Sequence, residues 1–134
     1  MTARVIVFHS LDHARAALAA AAQRGVPVTL RSAPGAVAYA GAGYLKAIVD
    51  AAAAENPDVA VSAVIDCGAD AGAAMGALRA GWRAIVFSGR DDVAARLADM
   101  AREAGARLTG EGPEALDLLD AADPAALCRA FLGG

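Results

Sequence analysis

The sequence predicts an α/β fold in which about five parallel strands alternate with helices. Two observations support this prediction: apolar runs rich in Val and Ile recur along the chain, and each of the first four leads into a stretch with helical character. Runs that are apolar throughout, rather than at every second position, are typical of parallel strands covered on both faces. The alternation of strand and helix then favours right-handed crossovers within one sheet.

The first strand and helix establish this pattern. Residues 4–9 (RVIVFH) are predicted to form a strand, Asp12 to cap the alanine-rich helix that follows, and Gly25 to end that helix. The later strands are predicted at residues 27–31, 59–66, 84–87 and, as a short fifth strand, 107–109.

The later helices are marked by signals at their ends. Small residues at 32–43 connect the second strand to a helix over 44–55, which stops at Asn56-Pro57 because the residue before a proline disfavours helical geometry. The remaining helices are predicted from a loop at 67–71 to about Ala80, from a cap at Asp91 or Asp92 to Gly105, and from Asp123-Pro124 onward, with proline in the first turn.

Length and charge limit the classes of function. The 134 residues predict a single α/β domain over residues 1–134, and 12 basic against 15 acidic residues give a net charge of −3. No basic stripe for nucleic acid is therefore expected. No apolar run approaches the roughly 18 residues of a membrane helix, and no signal peptide is recognisable, so a cytoplasmic location away from membranes is predicted.

The cysteine and lysine content limits the possible chemistry. Cys67 and Cys128 are too few for a disulfide framework and too far apart for a zinc knuckle. Lys46 is the only lysine and lies in a helical stretch, which argues against Schiff-base chemistry. Neither zinc nor any other cofactor is expected.

Polar residues follow the predicted strands, at the edge of a parallel sheet where ligands bind. Asp66 is the predicted catalytic residue, and Ser10 and Glu111 also lie at strand ends. The predicted ligand-binding residues are His9, Arg31, Ser32, Cys67, Ser88, Gly89 and Arg90.

Three of these predictions have structural alternatives. Asp66 could act as an acid or base, or it could accept backbone N–H groups in a turn that ends at Gly68. Cys67 could be a thiolate or metal ligand, but a small buried thiol is favoured. Residues 88–90 could bind an anion through amides and a guanidinium, although Asp91 and Asp92 compete for the same helix end.

Several segments resemble, in order, the class II metal-dependent fructose-bisphosphate and tagatose-bisphosphate aldolases. The resemblance covers nearly the whole chain: a serine, a Gly-Ala pair and a tyrosine follow the second strand as in that family. The matching segments are residues 27–41 (PVTLRSAPGAVAYAG), 44–61 (YLKAIVDAAAAENPDVAV), 64–68 (VIDCG), 77–90 (ALRAGWRAIVFSGR) and 119–131 with its Asp123-Pro124 helix start.

The resemblance implies a partial barrel that lacks most of the family's metal site. The family's His-x-Asp-His-Gly motif reads Val64, Ile65, Asp66, Cys67, Gly68 here, so Asp66 is the only catalytic residue of the motif that keeps its residue type, with the implied role of proton donor. Ser88 replaces the aspartate of the family's Asp-Gly-Ser, and the other zinc and phosphate ligands belong to later strands of the eightfold barrel. The predicted fold is therefore partial TIM-barrel-like; a flavodoxin-like doubly wound sheet is the alternative.

Three functions remain open at this point. The favoured one is a diverged, non-catalytic aldolase-like protein that binds a small polar or phosphorylated metabolite at the strand ends. The alternatives are a lyase or isomerase that uses Asp66 with help from His9, and an oligomeric protein-interaction module. A partial barrel leaves open edges, so either residues 116–132 cover an edge or face, or the chain forms a homodimer or higher homo-oligomer.

Overall fold

A computed structural model describes residues 3–110, 112 and 114–133; Glu111 lies outside them. Their strands are β1 Arg4–Phe8, β2 Val28–Ser32, β3 Val61–Asp66, β4 Ala84–Val86, β5 Arg107–Thr109 and β6 Ala115–Asp117. Their helices are α1 Leu11–Arg24, α2 Ala36–Ala40, α3 Ala42–Ala54, α4 Ala71–Arg79, α5 Asp91–Glu103 and α6 Pro124–Gly133. The predicted α/β class is therefore confirmed, and α2 is a short helix within what was predicted to be only a connection.

The strands form one sheet in the order β5-β4-β3-β2-β1-β6. The pairs β1 with β6, β3 with β4, and β4 with β5 are parallel. The first five strands lie in sequential order, as in a β/α barrel. The flavodoxin-like alternative is wrong, because that order places β1 between β2 and β3, whereas β2 lies between β1 and β3 here.

The strand β6 was not predicted, and it covers the edge of β1. Its three residues pair with β1 in the register Val5↔Ala115, Ile6↔Leu116 and Val7↔Asp117. The expectation that residues 116–132 cover an edge is thus met by a strand followed by a helix. A strand this short, with one large apolar residue, carries no recognisable pattern of its own.

The described residues divide into two compact units, and the first comprises residues 3–31, 47–62 and 114–133. Its helix α1 packs against α6, and α1 buries small alanines such as Ala14, Ala17 and Ala21. The cap of α1 is Ser10, whose Oγ accepts the His13 N–H at 3.2 Å. The predicted cap Asp12 is wrong, because Ser10 already takes the cap position and Asp12 lies in the first turn.

The second unit comprises residues 32–46, 63–110 and 112. Trp82 is 3% exposed, and its indole Nε1 donates a hydrogen bond to the Ala42 carbonyl at 2.9 Å. A side-chain cap on α5 by Asp91 or Asp92 is also wrong, since Arg90 holds the cap position with no side-chain cap hydrogen bond. That the two units act as a single domain stays a prediction.

None of the described helices has the length and apolar character needed to span a membrane. A cytoplasmic location stays a prediction.

Candidate functional site

Asp66 ends β3 and is held by two hydrogen bonds within the second unit. Its backbone N–H donates to Oγ of the fully buried Ser32 at 2.9 Å, and its Oδ1 accepts the Gly68 N–H at 3.0 Å. The turn from Asp66 to Gly68 therefore uses one oxygen of the Asp66 carboxylate, Oδ1. Within the part of the chain that the structure describes, Oδ2 of Asp66 has no hydrogen-bond partner.

Cys67 follows Asp66 and is buried. Its side chain is 3% exposed, and its N–H donates to the Val86 carbonyl at 2.9 Å. Burial, followed by the nearby Asp66 and Asp70 carboxylates, raises the pKa of the Cys67 thiol to about 11. This geometry favours the small buried thiol over a reactive thiolate.

The turn after β4 lies against the turn after β3. The Ser88 N–H donates to the Gly68 carbonyl at 2.8 Å, and the serine side chain is exposed. Gly89 has no room for a side chain, because a Cβ there would overlap the Phe87 ring. The structure therefore brings Ser32, Asp66 and Ser88 to one edge of this unit.

Within the described residues, no contact holds the Arg90 guanidinium at the edge formed by Ser32, Asp66 and Ser88. Its guanidinium forms a two-point ion pair with Asp92, from Nε to Oδ1 at 3.1 Å and from Nη2 to Oδ2 at 2.9 Å. The pair is exposed and leaves Arg90 less suited to bind an anion. Asp92 thus competes for the guanidinium itself, in addition to the helix end.

His9 lies at the carboxyl end of β1 within the first unit, where two partners surround it. Its Nε2 lies 2.6 Å from Oδ1 of Asp117, and its backbone N–H donates to Nδ1 of His13 at 3.1 Å. The two imidazole rings meet edge to face, with centroids 5.7 Å apart. Asp117 Oδ1 also accepts the Leu119 N–H at 2.9 Å.

Burial and the neighbouring groups shift the pKa values of two residues in this cluster, His13 and Asp117. Burial and then the neighbouring His9 lower the pKa of His13, although Asp117 and Asp12 act in the opposite direction. Burial alone would raise the pKa of Asp117, but the Leu119 N–H and the His9 contact outweigh it, and the net shift is downward. The cluster therefore favours a neutral His13 and an ionised Asp117.

Sequence reasoning identified His9 but missed Asp117 and His13. The spacing of His9 and His13, four residues apart around the Ser10 cap, was the available signal. Asp117 had none, because β6 itself was not predicted. Arg31 is half-buried in β2, one residue before Ser32; ligand binding by His9 and Arg31 stays a prediction.

Comparison with known proteins identifies the family. The family model for class-II fructose-bisphosphate aldolase matches residues 3–104. The chain belongs to the class-II fructose-bisphosphate aldolase family. The resemblance seen in the sequence is thus confirmed.

Two similar proteins show how much of their length this chain covers. The plasmid fructose-bisphosphate aldolase of Cupriavidus necator is 28% identical over 117 residues, which cover 77% of this chain and 34% of that protein. A structure from Coccidioides immitis assigned to the fructose-1,6-bisphosphate aldolases matches with a TM-score of 0.70 and 17% identity. That match covers 98% of this chain and 53% of the other, so this chain spans about a third and about half of these two aldolases.

The residues described here do not fit the zinc ion that the aldolase family implies. The motif position of a zinc-binding histidine holds Cys67, a buried thiol with a raised pKa, and the first histidine position holds Val64. A cysteine binds zinc as the thiolate, and a structural zinc ion usually has four ligands in all. The described part of the chain contains no group of three His, Cys, Asp or Glu side chains placed to hold a metal ion.

Proposed function

We propose that this chain is a member of the aldolase family that binds a small polar or phosphorylated metabolite without performing the aldol reaction. The observation that carries the proposal is the environment of Cys67. A buried, protonated thiol beside Asp66 replaces the histidine that the family resemblance places there.

We infer the absence of aldol catalysis from the small rate enhancement that the Asp66 carboxylate could supply by itself. Asp66 is the one residue in the motif that keeps the implied catalytic type. A positioned carboxylate contributes roughly 10²–10⁴-fold by general acid–base catalysis, whereas typical enzymes need about 10⁶-fold or more. Among the described residues around Asp66, no further group could supply the difference through a metal ion.

The ligand class follows from the groups at this edge of the second unit. Oδ2 of Asp66 can accept a hydrogen bond from a ligand hydroxyl, and the exposed Ser88 hydroxyl can donate one to a phosphate or carboxylate oxygen. Helix α5 begins at Asp91, three residues after Ser88, and its first turn carries Asp91 and Asp92, so the Ser88 hydroxyl rather than the helix end is the group offered to an anion. A ligand with hydroxyl groups and a phosphate matches this set.

A thermal-shift and calorimetry series tests ligand binding. We expect dihydroxyacetone phosphate or fructose 1,6-bisphosphate to raise the Tm of the parent, with Asp66→Ala and Ser88→Ala each weakening the affinity about tenfold, the loss of one or two hydrogen bonds to a charged group.

Ser62→Ala is the matched control, because Ser62 is an exposed serine in the same strand as Asp66 but outside this edge. The control should retain the parent affinity. Failure of every phosphorylated probe to shift the parent would contradict the binding proposal.

An oligomeric interaction module is the second candidate, and one surface feature favours it. Tyr39 in α2 is 82% exposed and Tyr44 in α3 is 63% exposed, and tyrosine side chains are enriched at protein interfaces. We propose a homodimer or higher homo-oligomer that uses these tyrosines. Sedimentation velocity should show an oligomer that Tyr39→Ser with Tyr44→Ser dissociates; a monomeric parent at micromolar concentration would contradict it.

A further inference from the structure

The cluster of His9, His13 and Asp117 joins the two neighbouring strand ends of β1 and β6. His9 follows β1 directly, Asp117 is the last residue of β6, and His13 lies in the first turns of α1. All three belong to the first unit, and none is used by the proposed ligand site. These contacts join β1, α1 and β6, and the proposed ligand site does not account for them.

The backbone of His9 determines the protonation state of His13. Its N–H donates to Nδ1 of His13 at 3.1 Å, so that nitrogen must carry a lone pair. A neutral His13 then holds its proton on Nε2. Protonation of the ring would place a second proton on Nδ1, which would turn the acceptor into a donor facing another donor.

The groups around His13 determine whether a positive charge on its ring is stabilised. From the segment after β1 comes the His9 ring, edge to face at 5.7 Å; from β6 comes the Asp117 carboxylate; and from α1 itself comes Asp12. The two carboxylates attract an imidazolium, while burial and His9 oppose it more strongly. The folded cluster therefore favours the neutral ring.

The strand that this cluster holds is short. Three residue pairs join β6 to β1, and Val7↔Asp117 is the last of them. Beyond that pair, the Leu118 N–H donates to the Val7 carbonyl at 3.2 Å, and the His9 ring contacts Asp117 at 2.6 Å. Displacement of His9 would act directly on the end of β6.

We propose that His9, His13 and Asp117 form an acid-sensitive latch that holds β6 on the edge of β1. Neutral His13 accepts the His9 N–H and keeps the latch closed. On acidification, a proton from hydronium in the solvent binds Nδ1, which breaks this hydrogen bond, displaces His9 from Asp117 and loosens β6. The latch regulates strand pairing and does not depend on the proposed ligand.

The direction of the pH effect follows from the lowered pKa of His13 in the folded state. Between that value and the ordinary value of 6.5, the unfolded chain binds more protons than the folded chain. The stabilisation from His13 is therefore complete above pH 6.5 and is lost as the pH falls through the folded-state pKa. The lowered pKa of Asp117 acts only in a more acidic range, below its ordinary 3.8.

Hydrogen–deuterium exchange at about pH 7.5 and about pH 5 tests the latch, with rates corrected for intrinsic exchange. In the parent, the amides of residues 115–119 should lose protection at least about threefold on acidification relative to those of β4. His13→Asn replaces Nδ1 with a side-chain amide oxygen that can accept the His9 N–H but cannot titrate. We expect this variant to keep its protection at both pH values.

His13→Ala serves as the second variant, because it removes the acceptor at every pH. Its β6 amides should be poorly protected at both pH values; if it fails to fold, the comparison of the parent with His13→Asn still decides. The sequence contains only two histidines, so His9 is the only histidine left in His13→Asn. An equal loss of protection on acidification in the parent and in His13→Asn would overturn the latch, as would unchanged protection in the parent.

Discussion

Trp82→Ala is expected to lower the free energy of unfolding by about 3–5 kcal/mol, the usual loss when a large buried aromatic residue is truncated. Trp82 is 3% exposed, and its Nε1 donates to the Ala42 carbonyl at 2.9 Å. The substitution leaves a cavity in the second unit and deprives the start of α3 of its hydrogen bond. Urea denaturation followed by circular dichroism measures the loss without using the fluorescence of the only tryptophan.

Trp82→Phe separates the two contributions. Phenylalanine keeps most of the apolar contact but cannot donate to Ala42, so we expect a smaller loss, of about 1–2 kcal/mol. Equal losses for the two variants would show that packing around Trp82 is not the main contribution. That result would contradict its place in the core.

Leu118→Ala is expected to lower the free energy of unfolding by about 2–5 kcal/mol. Leu118 is fully buried directly after β6, and its N–H bonds to the Val7 carbonyl, so its side chain fixes the added strand to the core of the first unit. The neighbouring Leu119 is 57% exposed and provides a matched control.

Leu119→Ala should change the free energy of unfolding by less than about 0.5 kcal/mol, because its side chain is largely in water in the folded state too. Chemical denaturation of the two variants beside the parent gives the comparison. Similar losses at positions 118 and 119 would mean that β6 is not fixed by burial of Leu118.

The sequence predicted β1, β3 and β4 because each contains neighbouring large apolar residues, whereas β2 and the short β5 were predicted from their place after a helix in the strand–helix alternation. It did not predict β6, since Ala115–Asp117 has one large apolar residue and pairs only because the edge of β1 is available. Strand pairing of this kind is a property of the folded partner. Asp117, which lies in β6 beside His9, was missed because β6 was not predicted.

Local signals at helix ends were informative but competed with one another. Gly25 ends α1 with φ 65°, as predicted, because glycine adopts the left-handed conformation without strain. The predicted cap Asp12 was displaced by Ser10, which precedes it and has the right side-chain reach. For the candidate site, the turn at Asp66 and the buried thiol of Cys67 were both anticipated from the sequence, whereas the hydrogen bond from the Asp66 N–H to Ser32 depends on the packed fold.

We propose above that this member of the aldolase family binds a small metabolite without catalysing the aldol reaction. Cleavage of fructose 1,6-bisphosphate by the purified chain, with added Zn²⁺ and with Asp66→Ala in parallel, tests it most directly. We predict that both proteins give the rate of the protein-free solution. Turnover by the parent that is lost in Asp66→Ala would contradict the account.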